Sequence, residues 1–350
     1  MHPSDLPKIE RSESSLPAHA EPSGTSLPLN SIEMKTRKTA FAGRLGGNQA
    51  FVLDPDTSSN ISILDRIPDA SPFMSWSEQF DLRGFLQPDL WKAGLAEGVD
   101  SLLVTFTSMY WASSKAGLPA PFSDRYGPYD NVAFIGTVVG GFLSWAFVTL
   151  FILSFGAVSG GHLNPTITFG TFFGRLCTFP RLALYVGFQI LGTTMAGLLL
   201  RRALGGRDFK VGGCWIDTNL VPVSDVFVTE FMACSVLIFI LFGVGLDPRQ
   251  SKVIGPTLSP VLIGLVFASL SIATRFSRYG YGGTSLNPAR CFGAFVGSSF
   301  PVWHWFHWLV PAVVSSLSTC FLISPDRVAP ITATFAHGCF YYAIPPWKQT

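Results

Sequence analysis

Two asparagine–proline pairs, Asn164-Pro165 and Asn287-Pro288, stand 123 residues apart in a chain of 350. Proline suits the first turn of a helix, where its fixed φ fits and no backbone donor is needed. Asparagine just before it is a strong helix cap. Each pair therefore predicts a helix start whose side-chain amide sits beside the positive end of the helix dipole. Groups of that kind offer donors to a small oxygen-bearing molecule and repel cations. One pair alone would be an ordinary helix start, but the two contexts match. The first reads Ser159-Gly160-Gly161-His162-Leu163-Asn164-Pro165-Thr166, followed by Phe169-Gly170. The second reads Gly283-Thr284-Ser285-Leu286-Asn287-Pro288-Ala289-Arg290, followed by Phe292-Gly293. A glutamate precedes each motif, Glu97 and Glu230, 133 residues apart.

The elements that must position these residues are apolar. Hydrophobic residues make up 48% of the chain and charged ones only 13%, where about a quarter is usual for a soluble domain. Lipid is therefore the expected solvent, and a net charge of +2 gives no reason to expect a nucleic-acid partner. A spanning helix needs roughly 20 mostly apolar residues. Six segments satisfy this or nearly so, at about 91–111, 132–157, 181–200, 223–246, 255–274 and 302–323. Glu97 and Asp100 interrupt the first. Residues 158–175 and 283–297 are apolar, rich in glycine and too short to span. Stretches of this kind suit re-entrant half-helices, tolerated at membrane depth where protein or a water-filled cavity covers the backbone. With three spans per half, the halves enter the membrane in opposite senses and form an inverted repeat with its site at the midplane. The fold class expected is an all-α membrane protein of six transmembrane helices and two half-helices.

Residues 1–87 differ in composition, being rich in Ser, Pro and charge without a sustained apolar period, and are expected to form a disordered tail. A channel domain is expected over 88–325, with halves at about 90–204 and 222–323, and a short tail over 326–350. The six cysteines show no paired or metal-binding spacing, and most fall in apolar runs and read as small buried hydrophobes. No metal or cofactor is implied.

The paired loops resemble the signature loops of the aquaporin (major intrinsic protein) family, over about residues 90–325. In outline the chain is closest to a fungal-type water channel with a long N-terminal tail. The resemblance implies one pore per subunit, a homotetramer in the lipid bilayer, and a passive channel rather than an enzyme. In such a pore a water molecule offers its oxygen to Asn164 and Asn287, so its hydrogen bonds to neighbouring waters are reoriented and protons are excluded. Thr166 stands where the family usually has alanine, a change that bears on pore diameter. Arg290 is implied at the outer constriction, since an arginine at membrane depth is costly unless it faces a cavity or a partner. Spacing adds Thr284, Ser271 and Ser144 as the other filter positions. Glu97, Glu230 and His162 are implied as supports of the loops, with a pore gate the less favoured reading of His162.

On substrate, Cys291 stands where glycerol channels carry aspartate, and His307-Trp308 matches an aromatic pair of water-type members. Both point to water, with hydrogen peroxide next, while Ser144 and Ser271 point to glycerol or other small neutral solutes. A secondary transporter also uses inverted repeats, with the two glutamates as its only candidate ion ligands. Charge does not decide orientation by the positive-inside rule. A cytoplasmic N-terminus, in a plasma or internal membrane, follows from the resemblance. The basic cluster Lys35, Arg37 and Lys38 could hold the tail near the inner mouth as a plug.

Overall fold

The computed structural model describes residues 40–46, 52–72, 74–115, 132–247, 250–275 and 277–323. Eight principal helices follow in order: α1 (Pro88–Ala112), α2 (Val132–Phe155), α3 (Pro165–Phe173), α4 (Phe179–Ala203), α5 (Val223–Leu241), α6 (Gly255–Arg275), α7 (Pro288–Gly297) and α8 (Trp305–Ile323). A π-turn, Phe242–Leu246, extends α5. Prolines open α1, α3, α4 and α7, where the first N–H groups have no partner in any helix. Among the described residues, four helices are long and apolar enough to cross a membrane: Ile135–Phe155, Phe179–Ala203, Val223–Leu246 and Gly255–Arg275. Helices α1 and α8 complete the six expected spans, and the 9-residue α3 and 10-residue α7 are the half-helices.

Close helix crossings depend on glycine at two places. A Cβ on Gly192 of α4 would lie 2.1 Å from the Gly98 carbonyl oxygen of α1. One on Gly197, a turn and a half later, would lie 1.9 Å from the Gly293 carbonyl oxygen of α7. Helix α4 thus binds a span of its own half and the half-helix of the other at backbone contact distance. A central core of Leu163, Ile167, Leu237, Leu241, Ile263, Phe306 and Val310 fills the space around the half-helix tips. A two-stranded antiparallel pair, β1 (Ser113–Lys115) with β2 (Phe209–Val211), caps the face where α1 and α4 end.

The expected disordered tail over 1–87 is corrected for its described part. From residue 40 this segment is packed onto the face where α1 and α4 begin, here called the tail side. Asp69, nearly inaccessible, pairs with Arg181 of α4 through Nε–Oδ2 at 2.6 Å and Nη2–Oδ1 at 3.0 Å. Gln79 Nε2 donates to the Phe172 carbonyl at 2.6 Å, and Leu45 N to Gly160 O at 2.9 Å. Ser75 and Glu78 form a capping box on a one-turn helix, Trp76–Gln79. Composition pointed to disorder because apolar residues are few here, yet Phe41, Ala42, Leu45 and Ala70 are all buried. Residues 1–39, including Lys35, Arg37 and Lys38, lie outside the described set. Asn60 is buried, its Nδ2 donating to Asp54 O at 3.0 Å.

Candidate pore and its two mouths

Asn164 and Asn287 cap α3 and α7, and the two caps meet at mid-depth. Asn164 Oδ1 accepts from Thr166 N at 2.9 Å, and Asn287 Oδ1 from Arg290 N at 3.1 Å. These bonds fix which way each amide points, since only the oxygen can accept. Each Nδ2 then donates across the repeat, Asn164 to Leu286 O at 2.7 Å and Asn287 to Leu163 O at 3.2 Å. An amide nitrogen carries two hydrogens. One closes the cross-bond, and the second is left for the cavity that both residues line. Leu163 and Leu286 sit in the left-handed region at φ 57° and 56°, a conformation uncommon for leucine that turns each carbonyl towards the opposite asparagine. The strain occurs in both halves because the same turn is built twice.

Thr166, in place of alanine, is fully buried, and its Oγ1 donates to Leu286 O at 3.0 Å. It therefore braces the junction from behind and does not line the cavity. Pro165, Pro288 and Ala289 are likewise buried in the junction.

The glutamates face the loops. Glu97 accepts from Ser159 Oγ at 2.6 Å, His162 N at 3.0 Å, Leu163 N at 2.7 Å and Gln189 Nε2 at 2.9 Å. Glu230 accepts from Ser285 N at 2.5 Å and Tyr281 Oη at 3.5 Å. A ring chain lies behind Glu230. Trp308 Nε1 can only donate, so His304 Nε2 accepts from it at 3.0 Å and His304 carries its proton on Nδ1. That proton is directed at His307 Nδ1, 2.9 Å away, which leaves the His307 proton on Nε2, 3.9 Å from Glu230 Oε1. In the first half, the buried His162 ring has Nε2 at 2.9 Å from Gly43 O and Nδ1 at 3.2 Å from Thr168 Oγ1.

A cavity of about 660 Å³ follows this line of residues. At about 30 Å³ per molecule it holds roughly 20 waters. Its lining combines apolar residues, among them Val104, Val148, Ile152, Ile167 and Phe267, with the polar Asn164, Asn287, Thr284 and Arg290. Ser144 and Ser271 also line it, so the three filter residues expected from spacing and Arg290 border one space. Thr284 Oγ1 is held by Thr274 Oγ1 at 2.9 Å. At the far mouth Arg290 is fixed by three neutral groups: Ser108 Oγ from Nε at 3.0 Å, Cys214 Sγ from Nη1 at 3.2 Å and Gly212 O from Nη2 at 3.1 Å.

Two features of this mouth escaped the sequence reading. Cys214 and Cys291 form a disulfide across 77 residues, tying the loop after β2 to the half-helix position next to Arg290. Reading the cysteines as buried hydrophobes holds for Cys177 and Cys234 and is corrected for this pair. Arg275, the last residue of α6, also lines the cavity, one helical turn beyond Ser271. Tyr279 is exposed and Tyr281 buried, both at this mouth. At the tail-side end Ala42 and Leu45 belong to the same packed cluster as Ile152, Leu163 and Ile167, which line the cavity.

Six spans and two opposed half-helices around a central cavity define a channel-type membrane protein built as an inverted repeat. The description of one family, Major intrinsic protein, matches residues 85–321. Aquaporin TIP1-1 of Arabidopsis thaliana is 32% identical over 229 residues, covering 65% of this chain and 84% of that protein. Aquaporin TIP1-1 of Zea mays is 30% identical over 233 residues, covering 66% and 85%. Among solved structures, the aquaglyceroporin from Plasmodium falciparum aligns over 66% of this chain and 95% of its own, with 16% identity and a TM-score of 0.48. The chain belongs to the major intrinsic protein family, a family of membrane channels.

Proposed function

We propose that the chain is a passive water channel that excludes protons and ions. The observation that carries this reading is the pair of cross-bonded asparagines, each with one N–H left for the lumen where two positive helix ends meet. A water passing them donates its own hydrogens away from the junction, which breaks a continuous proton-conducting chain. The positive helix ends and Arg290 oppose cations. Glu97 and Glu230 are engaged by loop donors, which favours a pore over a carrier that would need them as ion ligands.

The pore's solutes include hydrogen peroxide, and Ser144 and Ser271 give its wall hydroxyls that suit glycerol or urea. The far mouth faces the exterior or an organelle lumen, and the N-terminus the cytoplasm, because the Cys214–Cys291 disulfide belongs in an oxidising compartment. The apolar surface of α2, with Ile135, Val139, Phe142 and Leu150 exposed, is met by lipid and by neighbouring copies in a homotetramer. Stopped-flow light scattering on proteoliposomes tests the reading through shrinkage in sucrose and re-swelling in glycerol and urea. Fast shrinkage with slow re-swelling marks a water channel; equally fast re-swelling in glycerol replaces it with a channel for larger neutral solutes.

A further inference from the structure

Three arginines stand among the described residues of the far mouth. Arg275, Arg278 and Arg290 all line the cavity, and none of its described lining residues is Asp or Glu. Arg278 is neutralised by an ion pair with Asp225. Arg290 meets only neutral acceptors. The Arg275 side chain makes no hydrogen bond or ion pair to another described residue. Its guanidinium lies over Gly212, where a Cβ would meet Nη1 at 2.1 Å and Cζ at 2.9 Å. Gly212 is also the residue whose carbonyl holds Arg290 Nη2. Two guanidiniums thus flank one glycine at the neck of a half-buried lumen, with no described carboxylate compensating either. Like charges so placed repel, and the repulsion strengthens as the dielectric falls. A guanidinium fork matches the geometry of a small oxyanion, and an anion between two of them relieves the repulsion.

We propose that the far mouth is a binding site for a small monovalent anion, best a planar oxyanion, held between Arg275 and Arg290. Bound there, the anion stands in the path of water and lowers the flux. The effect on flux rests on the channel reading; the binding does not.

Binding is therefore measured without flux, by ³⁵Cl NMR line broadening on the detergent-solubilised full-length protein. Excess broadening by the protein is expected, removed by millimolar nitrate and not by the bulkier gluconate. Arg275→Gln should abolish most of that nitrate-sensitive part, whereas Arg275→Lys and Arg278→Gln should keep most of it. Flux is then read as the ratio of water permeability in nitrate to that in gluconate, within one proteoliposome preparation and at equal osmolality. A ratio below about one half is expected for the unaltered chain and a ratio near one for Arg275→Gln. Taking the ratio cancels any change in basal permeability. No nitrate-sensitive broadening in the unaltered chain overturns the site. So does equal broadening in an Arg275→Gln protein that elutes as the unaltered one does. If Arg275→Gln fails to fold, loss of broadening in Arg278→Gln but not in Arg275→Lys counts against the site as placed. Nitrate-sensitive broadening without water flux under any anion supports the site and removes the channel reading.

Discussion

At Asn287 one amide has three partners in view: its oxygen caps α7, one hydrogen joins the halves through Leu163 O, and the other faces the lumen. Asn287→Asp keeps the cap and removes both donors, at a cost of about 1 kcal/mol for the cross-bond. It also places negative charge where two helix ends are positive. Water permeability should fall severalfold and a cation current should appear, both measurable in oocytes or proteoliposomes. Thr166→Ala provides the contrast, because its hydroxyl braces the same junction from outside the lumen. That variant should lose about 1 kcal/mol of stability and leave water permeability unchanged. A third change addresses Arg290. Cys214→Ala breaks the disulfide and takes away the sulfur that receives Nη1. The arginine then keeps two of its three anchors, and the ratio of glycerol to water permeability should rise. A reductant added on the far side should do the same to the unaltered chain, and a ratio insensitive to both would show that the loop is held by other contacts.

At the scale of elements, the half-helices and spans were legible because lipid enforces simple rules. Length and hydropathy mark the spans, and an Asn-Pro start in an apolar stretch too short to cross marks a half-helix. Thr284, Arg290, Ser271 and Ser144, the residues expected at the filter, all border the cavity, but the α6 position was counted to Ser271 from Ile263-Gly264-Leu265, and Arg275 one turn on also borders the lumen. The disulfide was not legible, since nothing in a 77-residue separation says that β2 returns to the base of α7. The tail was misread through its average composition. Stability there comes from a few well-placed groups, above all Asp69 beneath Arg181. Removing one partner of a buried pair costs about 3–5 kcal/mol. Asp69→Ala should therefore lower the thermal unfolding midpoint markedly, as read by intrinsic fluorescence. Deleting residues 1–38 leaves every described contact in place and should preserve both fold and flux. Deleting 1–72 removes Phe41, Ala42, Leu45 and Asp69 and should lower stability. A 1–72 deletion as stable as the full chain would mean that these contacts contribute little.

For the molecule as a whole, two copies of one turn are placed tip to tip, each held from behind by a buried glutamate and each bonded to the other's leucine carbonyl. The far mouth adds a charged neck fixed by a disulfide, and the tail side is covered by the first described residues of the chain. If the proposed function holds, this junction passes water and stops protons. The most direct test is a stopped-flow experiment on proteoliposomes of the full chain loaded with a pH-sensitive dye, following osmotic shrinkage and internal pH in the same sample. Shrinkage faster than in protein-free vesicles is expected, with a proton leak no greater than theirs after an imposed pH step. Shrinkage equal to protein-free vesicles with the protein shown to be folded, or a proton leak that rises in step with water flux, would contradict it.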